Sequence, residues 1–227
     1  MITSASEKSE ILKALRKQVA ALEADLTPTG LADSRLKIEW RAAKSADRTA
    51  ATFETWLKER ATQVAVAWVL GTVFVRFCED NGLIEYPFIA GPGSRLQLAQ
   101  DLQQDFFAKS PELTDRDWLI AAFDSLSVSP VAAALFDRRH NPMWTISPSH
   151  DAAKGLLAFW RQTGPDGEVV YDFTDETWNT RFLGDLYQDL SEAARKTYAL
   201  LQTPEFVEEF ILKYTLDPAI EEFGLTP

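Results

Sequence analysis

The sequence predicts a mainly α-helical domain with at most a small β-hairpin near residues 168–173. Three observations carry this. Apolar residues recur at helical spacing along most of the chain, and Thr and Ser stand where those patterns begin. Only Glu168 to Phe173, around Val169-Val170-Tyr171, reads as a strand.

Residues 7–26 form the first expected helix. Leu12, Leu15, Val19, Leu22 and Leu26 step by 3, 4, 3 and 4, the spacing of a packing seam. Two heptads are too few for a free coiled coil, so the seam is expected to dock on the domain or on a partner helix. Thr27-Pro28-Thr29-Gly30 is expected to end it. A more charged helix over 31–46 carries Leu31, Ile38 and Trp40. Thr49 or Thr52 can cap a long helix that runs to about Asp80, with Glu54 in its first turn and Asn81-Gly82 as its stop. Its second half is apolar nearly all round. Val64, Val66, Trp68, Val69, Val73, Phe74 and Phe77 are expected among its most buried residues. β-Branched residues leave a strand open for part of this stretch, but its length and lack of turn residues favour helix.

A loop rich in Pro and Gly follows from Glu85 to Ser94. Helices are expected over 94–109, 114–126, 129–137 and 149–162, with Thr114, Ser129-Pro130 and Ser149 at their starts. Gly164 to Gly167 is a tight turn. Helices over 191–202 and 204–222 close the chain. The expected organisation is a helical N-terminal domain, 1–180, and a helical segment, 181–227, that leads into something further.

Apolar residues make up 46% of the 227, enough for a sizeable core, and 25% are charged. The net charge of -11 argues against a domain that grips nucleic acid with its bulk charge. Basic residues do cluster between 35 and 60, at Arg35, Lys37, Arg41, Lys44, Arg48, Lys58 and Arg60, with acids among them. A solvated mixed-charge face is the plain reading, and a local contact to a DNA backbone is the other. The single cysteine, Cys78, lies in an apolar run and reads as a small buried hydrophobe. With no apolar leader at the N-terminus, a cytoplasmic location is expected. The longest uncharged run, between Arg60 and Arg76, has 15 residues, short of the roughly 20 a membrane span needs. No membrane is expected as a partner.

Sites of familiar chemistry are scarce. His140, His150 and Cys78 do not make a zinc site, and no metal is expected. Gly91-Pro92-Gly93-Ser94 lacks the Lys of a phosphate loop. Glu79-Asp80, Glu208-Glu209 and Glu221-Glu222 read as helix surface, and Arg138-Arg139-His140 as a surface turn. No catalytic residue is assigned. Thr203-Pro204-Glu205 has a clearer meaning. Thr caps, Pro takes the first helical position, and the free N–H groups make a positive end able to hold an anion. A simple helix start is the other reading of that dipeptide.

Longer stretches carry a resemblance. These are Gln63 to Leu70, Val73 to Ile84, Ala121-Ala122-Phe123, His140 to Trp144, Leu156 to Arg161 and the whole of 178–226. Together they resemble the N-terminal region of the PglX-like adenine-specific DNA methyltransferases of bacteriophage-exclusion (BREX) systems, the second type fitting best. Methylases of DISARM defence systems are the near alternative. The resemblance implies a large cytoplasmic enzyme that methylates the exocyclic amine of adenine and marks host DNA as self. It would use S-adenosylmethionine and a flipped base. On the motif Gln202-Thr203-Pro204-Glu205-Phe206-Val207, it implies that Thr203 and Pro204, with Gln202 and Phe206, line the cofactor pocket of the intact enzyme. DNA, and other defence proteins, would be the partners.

The glycine-rich cofactor loop and the Asn/Asp-Pro-Pro-aromatic catalytic loop are not in this sequence. Asp217-Pro218-Ala219-Ile220 lacks the glycines that let a backbone approach the cofactor, and Asn141-Pro142-Met143-Trp144 lacks the second Pro. The chain by itself is therefore expected to be inactive, a helical lead-in to a catalytic domain that lies outside it. The alternative is a stand-alone acidic helical module for protein interaction or regulation.

Overall fold

Thr52 starts the central element. Its hydroxyl accepts from the Thr55 backbone N–H at 3.3 Å and caps helix α3, Phe53–Asp80. Asn81 and Gly82, the latter at φ 65°, end it as the sequence predicts. The computed structural model describes residues 5–175, 184, 186, 189, 190 and 205–224. Contacts divide the chain into units 1–193 and 194–227.

In the first unit, α1 (Ala5–Ala32) and α2 (Ser34–Ser45) precede α3. After it come α4 (Arg95–Lys109), α5 (Asp115–Ser127), a short α6 (Pro130–Ala133) that tightens into a 3₁₀ turn over Ala134–Phe136, a second 3₁₀ turn over Pro142–Trp144, and α7 (His150–Trp160). Thr114 and Asp117 form a capping box at the start of α5, and Ser149 caps α7. Among the described residues the expected hairpin is reduced to one isolated antiparallel bridge, Thr163 to Val169, closed by the turn at Gly167. The fold is mainly α, as expected.

The seam of α1 packs on α3. Ile11, Leu15, Val19, Leu22 and Leu26 are buried, and Leu12 is half-buried. The expected stop at Thr27–Gly30 is overturned, because α1 runs through Pro28 to Ala32. Pro28 faces solvent, so water can take up the carbonyl bond its ring removes. Leu26 and Gly30, on the other face, stay packed. A Cβ at Gly30 would come within 2.6 Å of Leu57 Cδ1, so the glycine lets α1 approach α3 without displacing the Leu57 side chain. The second helix accordingly starts three residues later than expected, capped by Asp33. Leu31 then falls in α1, and Ile38 stands exposed on α2.

Val64, Trp68, Val69 and Val73 are at most 1% exposed, and Val66 and Phe77 at most 5%. Phe74 is only half-buried. Trp68 meets Phe123 edge-on at 5.3 Å, and Phe123 stacks on Phe136 at 5.1 Å. The buried indoles also find acceptors. Trp68 donates to Met143 O at 2.9 Å, Trp160 to Thr72 Oγ1 at 2.8 Å, and Trp118 to Phe88 O at 2.7 Å. α3 is long and apolar enough to cross a membrane, but 72% of its most apolar window is buried within the protein, as in a soluble core helix.

The second unit contains α8, Glu205–Phe223. Pro218 lies within it and Gly224, at φ 73°, follows it. Phe210, Ile211, Leu212, Tyr214 and Leu216 are exposed along it.

Candidate functional site

Three charged residues, Arg76, Glu79 and Asp80, sit among apolar neighbours at the C-terminal end of α3. All three side chains are fully buried. The expectation that Glu79-Asp80 lies on helix surface is therefore overturned. Glu79 Oε1 accepts the backbone N–H groups of Phe88 and Ile89, both at 2.7 Å, and Oε2 accepts Ala90 N at 3.0 Å and Arg76 Nη1 at 3.2 Å. Burial pushes the Glu79 carboxyl up, while Arg76 and the three N–H groups pull it down. All four of these contacts are donors, which is the environment a carboxylate requires.

Asp80 binds the other side. Its Oδ2 accepts Phe173 N at 2.8 Å and Arg76 Nη2 at 2.9 Å, and Arg76 Nη2 also donates to Tyr171 O at 3.0 Å. Burial pushes the Asp80 carboxyl up to about 7, against the pull of Arg76 and the Phe173 N–H. Among the described residues, Asp80 Oδ1 and Arg76 Nε have no hydrogen-bond partner. Asn81 continues the clasp, donating to Phe173 O and accepting from Asp175 N, each at 2.9 Å.

Arg161, at the end of α7, completes the arrangement. It donates to Ile89 O at 2.7 Å, to Phe88 O at 3.2 Å and to Gln103 Oε1. The loop at 88–90 is thus held at its N–H groups by Glu79 and at its carbonyls by Arg161. This cluster orders backbone, and every donor to Glu79 belongs to the protein. Sequence reasoning missed it. The available signal was a cation inside an apolar run with acids three and four positions on.

Cys78 is buried, as expected, and burial pushes its thiol up to about 11, so it is not poised as a nucleophile. Arg138-Arg139-His140 forms a surface turn. Arg138 pairs with Asp124 at 2.7 Å and lies 4.3 Å over the Trp144 ring, while His140 pairs with Asp137. Beside it is an open groove of about 380 Å³ lined by Asp124, Ser127, Ala133, Ala134, Phe136, Asp137 and Arg138. Asn141 caps the turn that buries Met143 and packs Trp144, the structural role expected for Asn141-Pro142-Met143-Trp144. Among the described residues no group of three or more His, Cys, Asp or Glu could hold a metal.

Of the residues that the resemblance assigns to a cofactor pocket, Gln202, Thr203 and Pro204 lie outside the described residues. Phe206 belongs to α8, but its side chain lies outside them too.

The described residues thus define a helical domain in which buried charge fixes backbone. Comparison with known proteins takes this to a particular relative. The chain is 53% identical, over 230 aligned residues and 96% of its length, to the adenine-specific methyltransferase PglX of Streptomyces coelicolor. It spans 19% of that protein's length. This agrees with the motif reading of a region from the front of a PglX-like protein. No family model matches the chain, and no solved structure does.

Proposed function

We propose that this chain is the N-terminal helical portion of an adenine-specific DNA methyltransferase of the PglX kind. The observation that carries the reading is the 53% identity over nearly the whole chain. The intact enzyme would draw its methyl group from S-adenosylmethionine, act on the amine of a flipped adenine, and serve phage defence of the BREX type by marking host DNA in the cytoplasm. The helical portion alone transfers nothing. It builds a rigid frame around α3 and leads into the catalytic part, and Thr203 and Pro204, with Gln202 and Phe206, contribute one wall of the cofactor pocket. One wall leaves most of a ligand in water, whereas working sites bury roughly 70–90% of it.

A chimera tests this. This chain replaces the matching fifth of the Streptomyces coelicolor protein, and adenine methylation of plasmid DNA is read by sequencing. The chimera should methylate as its parent does, and Thr203→Ala in it should weaken S-adenosylmethionine binding measured by calorimetry. A folded but inert chimera from an active parent would overturn the reading. Unchanged affinity in Thr203→Ala would reduce Thr203 to a helix cap.

A further inference from the structure

We propose that Lys37, Arg41 and Lys44 on α2, with Arg48 just beyond it, form a docking surface for the phosphate backbone of duplex DNA. The choice of DNA among polyanions rests on the function proposed above. The surface itself rests on geometry. The three helical cations stand at i, i+4 and i+7, one face of an α-helix. They cover about 10 Å of axis at about 1.5 Å per residue, close to three base-pair steps of about 3.4 Å measured along the duplex axis. Past the helix, Asp47 turns the backbone at φ 52° and Arg48 N donates to Ala43 O at 2.9 Å, which fixes the chain where Arg48 emerges.

What separates these four from Arg35 and Arg60 is that their charge is left free. Arg35 is paired with Asp33 and Arg60 with Glu39. Among the described residues none of Lys37, Arg41, Lys44 and Arg48 has a carboxylate in ion-pair contact. Arg41, Lys44 and Arg48 are exposed and Lys37 is half-buried. Two are steered by aromatic rings instead. Lys37 Nζ lies 5.9 Å from the Phe53 ring and Lys44 Nζ 5.0 Å from Trp40. A ring face orients an ammonium without cancelling its charge. Trp40 is itself anchored, its N–H donating to Ala51 O at 3.1 Å and its ring 5.7 Å from Phe53. The C-terminal dipole of α2 accounts for Lys44, but Lys37 and Arg41 stand too far from that end to benefit.

Setting aside the two internal pairs, residues 33–60 hold five cations against the acids Asp47, Glu54 and Glu59, in a chain whose net charge is -11. A locally positive face on an acidic protein gives weak contact that needs low salt, suited to a positioning role beside a separate catalytic part.

The test uses the full 227-residue chain and a fluorescently labelled 20-base-pair duplex, without cofactor. Anisotropy in about 50 mM salt should show binding in the range of roughly 1–100 μM typical of non-specific contact, with log K falling against log salt at a slope near -3 to -4 for about four phosphates. The triple variant K37E/R41E/K44E should bind at least tenfold more weakly with a shallower slope. K13E/K17E/K154E, equal in charge change but off the row, should bind several-fold more tightly than that variant. Circular dichroism melts establish that each is folded. No binding by the native chain, or equal losses in both triple variants, would overturn the proposal. Equally tight binding to poly-glutamate would reassign the row to an acidic protein segment. Since no methyl transfer is measured, an inert chimera with intact duplex binding would overturn only the proposed function, and an active chimera with binding independent of the row only this surface.

Discussion

At the end of α3, Arg76, Glu79 and Asp80 are wholly out of water and, two atoms apart, fully hydrogen-bonded. On α2, Lys37, Arg41 and Lys44 carry charge of the same strength toward solvent, with no ion pair among the described residues. The difference lies in what each environment demands. A buried charge needs hydrogen-bond partners, so the chain supplies N–H groups from 88–90 and 173 and the carbonyl of 171. A solvated charge makes no such demand and contributes little to stability. The first group therefore holds the fold, and the second is available for a ligand.

The sharpest way to break this comparison is Glu79→Ala. It strands three buried N–H groups and one face of Arg76, and should destabilise the domain by about 3–5 kcal/mol in urea unfolding. A loss under about 1 kcal/mol would show that the loop at 88–90 is held by other means. Next comes Asp80. Its folded carboxyl titrates near 7, above its ordinary value of 3.8, so the folded state holds the proton more tightly than the unfolded one. The stability this provides is complete below about pH 4 and is lost as pH rises through 7, to the extent of roughly 2–4 kcal/mol. Unfolding free energies measured between pH 5 and 8 should fall with pH in the native chain and fall less in Asp80→Asn. Parallel profiles for the two would place the titration elsewhere. The smallest effect belongs to the exposed row. Lys37→Ala, Arg41→Ala and Lys44→Ala should each change unfolding free energy by no more than about 0.5 kcal/mol. A larger loss in any of them would make that cation part of the frame and not a free surface.

Much of the scaffold was legible because its signals are local. Thr52, Thr114 and Ser149 begin helices that the structure begins in the same places, since a cap acts only on the next three residues. The leucine seam of α1 and the apolar surround of α3 follow from side-chain spacing on one element. At Pro28 the local rule for a helix stop yields to the packing of its neighbours Leu26 and Gly30. Pro28 stands on the exposed face of α1, where water can take up the freed carbonyl, while Leu26 and Gly30 keep the helix seated. The strand expected over 168–173 shrank to one bridge, and Tyr171 and Phe173 instead give their backbone to Arg76, Asp80 and Asn81.

By itself, then, the sequence determined the mainly helical class, the starts of the principal helices, most of the α3 core and the resemblance to PglX-like proteins. These depend on periodicity, caps and residue identity, all of which are written along the chain. Only the tertiary structure decided the fate of the charges. Glu79 is read as surface until the loop 88–90 folds back over it, and Arg76 and Arg161 acquire their partners from segments more than 70 residues away. Likewise, the cations of α2 look like any mixed-charge face until the pairs Asp33–Arg35 and Glu39–Arg60 form and leave the row Lys37, Arg41 and Lys44 unneutralised. Whether a charge is buried, paired or free depends on distances in space, and a spacing in sequence fixes those only within a turn or two of helix.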